Sequence, residues 1–164
     1  DDGFSKYNIK KFDILLKPKD EPTNNFCIPS GAYREPKSFY KKADLVLKEG
    51  IDFKREVEIK KDGTKSKLPE KTILLTAISK PKRLLEFLPK NIETIFFEDH
   101  HTFTKDEIDT ILEKYREFGI VTTQKDFVKL EKFHLKNIYI MDLKIKLSEK
   151  LDFKELNTYL NTNS

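Results

Sequence analysis

Three observations predict an α/β architecture with a mostly parallel sheet. Short β-type runs alternate with helical stretches along most of the chain. One run, Thr72 to Ile78, is continuously apolar apart from its threonines, the mark of a strand covered on both faces. The polar motifs fall at predicted strand ends or on adjoining loops, and open α/β sheets collect function at that carboxyl edge.

Each element has its own signal. Phe12 to Leu16 reads as a buried strand, and the Pro- and Asn-containing stretch from Lys17 to Asn25 as a surface loop. Ser38 to Lys42 suits a short helix, and Asp44 to Leu47 a second strand. Ile51 to Ile59 alternates loosely and leads to an Asp62-Gly63 turn. The Lys-rich stretch from Lys60 to Lys71, with Pro69, marks a domain boundary. After the Thr72–Ile78 strand, Pro81 opens a helix whose inner face is Leu84, Leu85 and Leu88. Ile92 to Phe97 is the next strand and runs into Asp99-His100-His101. Thr104 and Glu107 form a capping box for a helix carrying Ile108, Ile111, Leu112 and Tyr115, with Gly119 as its expected end. Ile120 to Thr123 is a strand, and Thr123 can cap a helix bearing Phe127, Val128 and Leu130. Ile138 to Leu147 is a long final strand, and Asp152 with Glu155 offers a second capping box before a last helix.

Composition narrows the function classes. The chain has 164 residues, 37% of them apolar and 37% charged, which suits one medium domain or two small lobes. Its net charge of +4 is the remainder of 32 basic and 28 acidic residues, as a Lys-rich solvated surface or an anionic partner would both give. No basic run interleaved with aromatics points to nucleic acid. Cys27 is the one cysteine, so an internal disulfide and a thiolate metal cluster are both excluded. No apolar run reaches the roughly 18 residues of a membrane span. The chain opens on Asp1 and its one methionine is Met141, which leads us to expect sequence upstream.

Four motifs could carry chemistry. Asp1-Asp2-Gly3-Phe4 offers two adjacent carboxylates of the kind that suits Mg²⁺, although a solvated turn would read the same way. Pro29-Ser30-Gly31-Ala32-Tyr33-Arg34-Glu35-Pro36 places a phosphate-competent Arg34 beside Glu35, or simply a surface ion pair on a Gly/Pro loop. In Asp99-His100-His101, a carboxylate can orient one ring nitrogen while the other handles a proton or a phosphate. The same triplet could ligate metal, as in one phosphoesterase superfamily that binds paired Mn²⁺, or be a loop beside a helix cap. Thr122 to Leu130 sets Thr123, Lys125 and Asp126 at a helix start, fit for an anion or for ordinary capping.

The order of these motifs is more specific than any of them alone. Asp-Asp-Gly-Phe, Pro-x-Gly-x-x-Arg-Glu-Pro, Ala43-Asp44-Leu45-Val46, Thr76-Ala77-Ile78-Ser79-Lys80-Pro81, Asp-His-His-x-Phe-Thr and Thr-Thr-x-Lys-Asp-x-Val-Lys-Leu follow one another. From Asp1 to about Leu130 this series resembles the lipid A 4′-kinase (tetraacyldisaccharide 4′-kinase) family. Ser5, Ile28 to Tyr33 and Ala77 depart from that family's usual residues but leave the ionisable positions in place.

The resemblance implies transfer of the ATP γ-phosphate to the 4′-hydroxyl of a tetraacylated disaccharide 1-phosphate, at the cytoplasmic face of the bacterial inner membrane. It implies ATP and Mg²⁺ as cofactors, the lipid A disaccharide 1-phosphate precursor as partner, and no nucleic acid. It further implies that residues 1–50 are the C-terminal remnant of a P-loop NTPase-like core, 51–71 a β-ribbon linker, and 72–164 a C-terminal α/β lobe. On it, Asp1 and Asp2 would lie near Mg²⁺, Arg34 and Glu35 would line the nucleotide and substrate site, and His100 would act on protons. Asp99, His101, Thr123, Lys125 and Asp126 would stand around them. The chain contains no G-x-x-x-x-G-K-[ST] loop, so it is expected to be inactive by itself. A metal-dependent phosphoesterase and a non-catalytic α/β binding module are the alternatives.

Overall fold

The computed structural model describes residues 4, 6 and 8–163. The Asp1-Asp2 expectation lies outside them. The chain divides into two compact units, residues 1–55 with 145–164, and residues 56–144. Two long strands, β3 (Phe53–Lys61) and β8 (Ile138–Leu147), carry the chain from the first unit to the second and back. Residues 145–164, expected with the second lobe, belong to the first unit.

Residues 56–144 form an α/β fold on a mostly parallel sheet. The strand order is β4-β3-β8-β7-β5-β6, with β4 (Thr64–Lys65), β5 (Thr72–Thr76), β6 (Glu93–Phe96) and β7 (Gly119–Thr123). β6, β5, β7 and β8 pair in parallel, whereas β3 and β4 form an antiparallel hairpin. Asp62 and Gly63 make its two-residue turn with φ of 50° and 76°, the pair of positive values that matches strand twist.

β5 is buried along its whole length because both faces are covered. Successive side chains alternate between faces. Ile73, Leu75 and Ala77 pack with Phe103, Ile108, Ile111 and Leu130 on one side. Leu74 packs with Leu88, Val121, Tyr139 and Met141 on the other. Burying each such side chain fully contributes about 1.5–3 kcal/mol, so this double cover is what fixes the register.

The helices of this unit are short. α1 (Lys105–Lys114) starts at a full capping box: the Thr104 hydroxyl accepts the Glu107 N–H, and the Glu107 carboxylate accepts the Thr104 N–H. α2 (Gln124–Leu130) is capped by Thr123. Pro81 does open a helix, but Pro81–Phe87 is 3₁₀, which changes the expected inner face. At three residues per turn, Leu84 and Phe87 share the core face and Leu85 points outward, 37% exposed. Gly119 does not end α1 either; Tyr115 is its C-cap, and Gly119 opens β7. A Cβ there would lie 2.9 Å from Pro69 Cγ and 3.0 Å from Tyr139 Cε2, so glycine serves a close approach.

In the first unit, β1 (Ile14–Lys17) and β2 (Leu45–Lys48) form a two-stranded parallel sheet. The expectation of a buried strand fails here, since Ile14 and Leu16 are 46% and 42% exposed. A two-stranded sheet with one packed face cannot cover alternate side chains. Asp44 Oδ2 accepts the Asp13 N–H at 2.7 Å and ties the two strand starts together. A 3₁₀ turn spans Lys37–Lys42, and α3 (Lys154–Asn163) packs Tyr159 against Phe12 at 5.4 Å. Asp152 Oδ1 accepts the Lys154 N–H, a contact two residues on rather than a second capping box. No helix among the described residues is long and apolar enough to cross a membrane.

Candidate functional site

The parallel strands β5, β6 and β7 end side by side, and the segments leaving them carry most of the polar motifs. From β6 the chain runs through Asp99 to His100, whose φ is 65°. That left-handed conformation costs a non-glycine residue on the order of 1–3 kcal/mol and persists only where surrounding contacts impose it. The His100 N–H donates to Ala77 O at 3.3 Å, past the end of β5, and to Asp99 Oδ1 at 3.0 Å. The imidazole itself stands 77% exposed, its Nε2 3.7 Å from Asp99 Oδ2. That is beyond a hydrogen bond but within ion-pair reach.

Asp99 is held from the other side by Lys125 of α2, Nζ to Oδ1 at 3.3 Å. Partial desolvation opposes ionisation of Asp99. The Lys125 hydrogen bond, the His100 charge and the His100 N–H together outweigh it and hold the carboxyl below its ordinary value. Asp99, His100 and Lys125 thus form an alternating acid–base row on the surface.

His101 is turned to a different task. Its ring stacks on Phe97 at 4.5 Å and meets Phe103 edge-on at 5.5 Å. Nε2 lies 3.1 Å from Glu107 Oε2. Hydrogen bonds from the Thr104 N–H and from His101 hold the Glu107 carboxyl below its ordinary value. Sequence reasoning missed this pairing, although both residues were visible, one in the triplet and one in the capping box.

Thr123 and Asp126 lie beneath this row. Asp126 is fully buried. Its Oδ2 accepts from Thr76 Oγ1 at 2.6 Å, Ala77 N at 3.0 Å and Thr123 Oγ1 at 3.0 Å. Thr123 Oγ1 in turn accepts the Asp126 N–H at 3.2 Å. These hydroxyls and this carboxylate are engaged within the protein. Lys129, one turn further along α2, reaches back to His101 O at 3.0 Å. It was not among the sequence candidates, yet it sits in the same Thr-Thr-x-Lys-Asp-x-Val-Lys motif.

A second set of candidates belongs to the first unit. Residues 26–33 close a tight loop through Ile28 N to Tyr33 O at 2.8 Å and Gly31 N to Cys27 O at 3.0 Å. Arg34 leaves this loop exposed, and Glu35 is half-buried behind it. Among the described residues, no group of three or more His, Cys, Asp or Glu side chains is arranged to hold a metal ion. The paired-metal reading of the Asp-His-His triplet therefore lacks a ligand set, because His101 is directed to Glu107 and Phe97.

Residues 1–161 match the family model described as LpxK, tetraacyldisaccharide-1-P 4′-kinase. The tetraacyldisaccharide 4′-kinase of Aliarcobacter butzleri is 67% identical over 162 residues, a match covering 99% of this chain and 52% of that protein. The Campylobacter jejuni serotype O:2 protein of the same name is 44% identical over 160 residues, covering 98% of this chain and 49% of that one. The Helicobacter pylori protein is 35% identical over 161 residues, with the same coverages of 98% and 49%. The chain thus spans about half the length of the curated relatives it matches. Among solved structures, the "apo" form of LpxK from Aquifex aeolicus in complex with ATP superposes with a TM-score of 0.60. The identity is 20%, with 98% of this chain and 55% of the other covered, so this likeness establishes the fold.

Proposed function

The chain belongs to the tetraacyldisaccharide 4′-kinase family, and from that premise we propose that it works as part of a kinase moving the γ-phosphate of ATP to the 4′-hydroxyl of a tetraacyldisaccharide 1-phosphate. The product would feed lipid A assembly at the cytoplasmic face of the inner membrane. The observation that carries this reading is the presentation of His100. Its backbone is pinned at positive φ, its ring is exposed, and Asp99 and Lys125 stand beside it at the carboxyl edge of a parallel sheet.

Phosphoryl transfer asks a protein for positioning and charge stabilisation more than for covalent chemistry. His100 would accept the proton of the attacking hydroxyl, with the ionised Asp99 stabilising the imidazolium that forms. Arg34 is suited to hold phosphate oxygens through its planar fork, and Glu35 to orient it. Asp1 and Asp2 would supply the hard oxygen donors that Mg²⁺ prefers, and with it charge neutralisation at the nucleotide phosphates.

The test is His100→Ala in the complete kinase, with transfer of labelled γ-phosphate to the lipid acceptor as the readout. Turnover should fall on the order of 10²-fold or more, the usual contribution of a positioned acid–base group, while ATP affinity is kept. His101→Ala should reduce turnover less, because that ring is packed against Phe97 and bonded to Glu107. Unchanged turnover in His100→Ala would overturn the reading.

A further inference from the structure

The strained backbone of His100 is braced from α2 by two residues. The peptide before His100 donates its N–H to Ala77 O, and the Ala77 N–H donates to the buried Asp126. The carbonyl of His101, one residue further on, accepts from Lys129 Nζ. Asp126 and Lys129 are three apart on α2 and so share a face. Lys129 bonds the chain one residue past the left-handed position directly, and Asp126 reaches that position through Ala77.

Capping alone does not account for this arrangement. Thr123 caps α2 through the Asp126 N–H, and the Asp126 carboxylate accepts from the capping hydroxyl in turn. That carboxylate spends one oxygen on three donors from β5 and Thr123, while Oδ1 is buried with no hydrogen-bond partner. Lys129 Nζ, 3.8 Å away, offsets its charge. A buried carboxylate with one unpaired oxygen is costly. The contacts it makes in return run to the end of β5 and, through Ala77, to His100.

We propose that Asp126 and Lys129 are positioning residues that impose the left-handed conformation of His100 and so aim its ring at the acceptor. The inference rests on the proton-handling role of His100. Its test is Lys129→Met in the complete kinase, a change at a half-buried side chain that removes the bond to His101 O and keeps the aliphatic stem. Turnover should fall on the order of tenfold while KM for ATP stays within about twofold, and Lys129→Arg should restore most of it by keeping a donor. In a His100→Ala background, Lys129→Met should cost nothing further, because the two act as a unit.

Asp126→Asn should follow the same pattern, and if that variant does not fold, the Lys129 series decides alone. An equal fold-loss with and without His100 would mean a merely structural role and would overturn the proposal, as would wild-type turnover in Lys129→Met. Wild-type turnover in His100→Ala itself would instead refute the function assigned to His100, a result separable from both.

Discussion

In residues 56–144, β5 gives every side chain to the interior, whereas β1 and β2 in the other unit leave Ile14, Leu16 and Val46 more than a third exposed. The first sheet is specified by apolar burial on two faces. The second is tied by polar contacts: Asp44 to the Asp13 N–H, Asp52 to the Lys48 N–H, and Glu21 between Lys17 and Lys37. Lysines also lie over aromatic rings, Lys17 over Tyr40 at 5.1 Å and Lys42 over Phe39 at 3.8 Å. An isolated two-stranded sheet is marginal in water. The difference teaches where each candidate can be placed with precision. His100 is held in a strained conformation beside the fully buried strand β5, while Arg34 depends on a loop closed by a few backbone bonds.

The largest effect should come from the doubly covered strand. Leu74→Ala would remove a fully buried side chain from the cluster with Val121, Tyr139 and Met141. It should cost about 2–5 kcal/mol in denaturant unfolding. Val46→Ala, at a position 38% exposed, should cost under about 1 kcal/mol. Similar losses at the two positions would erase the contrast.

Gly119→Ala sharpens the same point from the opposite direction, by adding volume instead of removing it. The new methyl would press on Pro69 and Tyr139, both ordered parts of the second unit. Overpacking of this kind should cost about 1–3 kcal/mol. A neutral result would show that β7 can shift away from Pro69 and Tyr139.

Gly119 also shows what sequence can and cannot reveal. A glycine after an amphipathic stretch reads as a helix stop, and nothing local announces that a proline from 50 residues upstream will pack against it. The strand Thr72–Thr76, the Thr104–Glu107 box and the Ile138–Leu147 strand are legible because periodicity and capping are local chemistry. The 3₁₀ turn at Pro81–Phe87 is not, since Leu84, Leu85 and Leu88 fit a helical stripe equally well. The candidate site follows the same division. The Asp-His-His triplet and the Thr-Thr-x-Lys-Asp motif are readable as motifs. Their joining, through Lys125 to Asp99 and Lys129 to His101, spans 26 and 28 residues and is a product of strand order. The bond from the His100 N–H to Ala77 O likewise joins residues 23 apart.

The smallest expected effect lies in the first unit and concerns charge. Hydrogen bonds from Lys17 and Lys37 lower the Glu21 carboxyl from its ordinary 4.5 to about 2. A carboxylate held low in the folded state binds fewer protons there than in the unfolded chain. Its contribution to stability is therefore fully present above about pH 4.5 and lost as pH falls toward about 2. Glu21→Gln should lower the melting temperature modestly at neutral pH, and the gap from the unaltered chain should close between those two values. The gap should also shrink in high salt, since these side chains are only half-buried. A gap independent of pH and salt would mean that Glu21 acts by shape rather than charge. The unit built on β1 and β2 would then be held by packing after all, and the contrast with β5 would be one of degree.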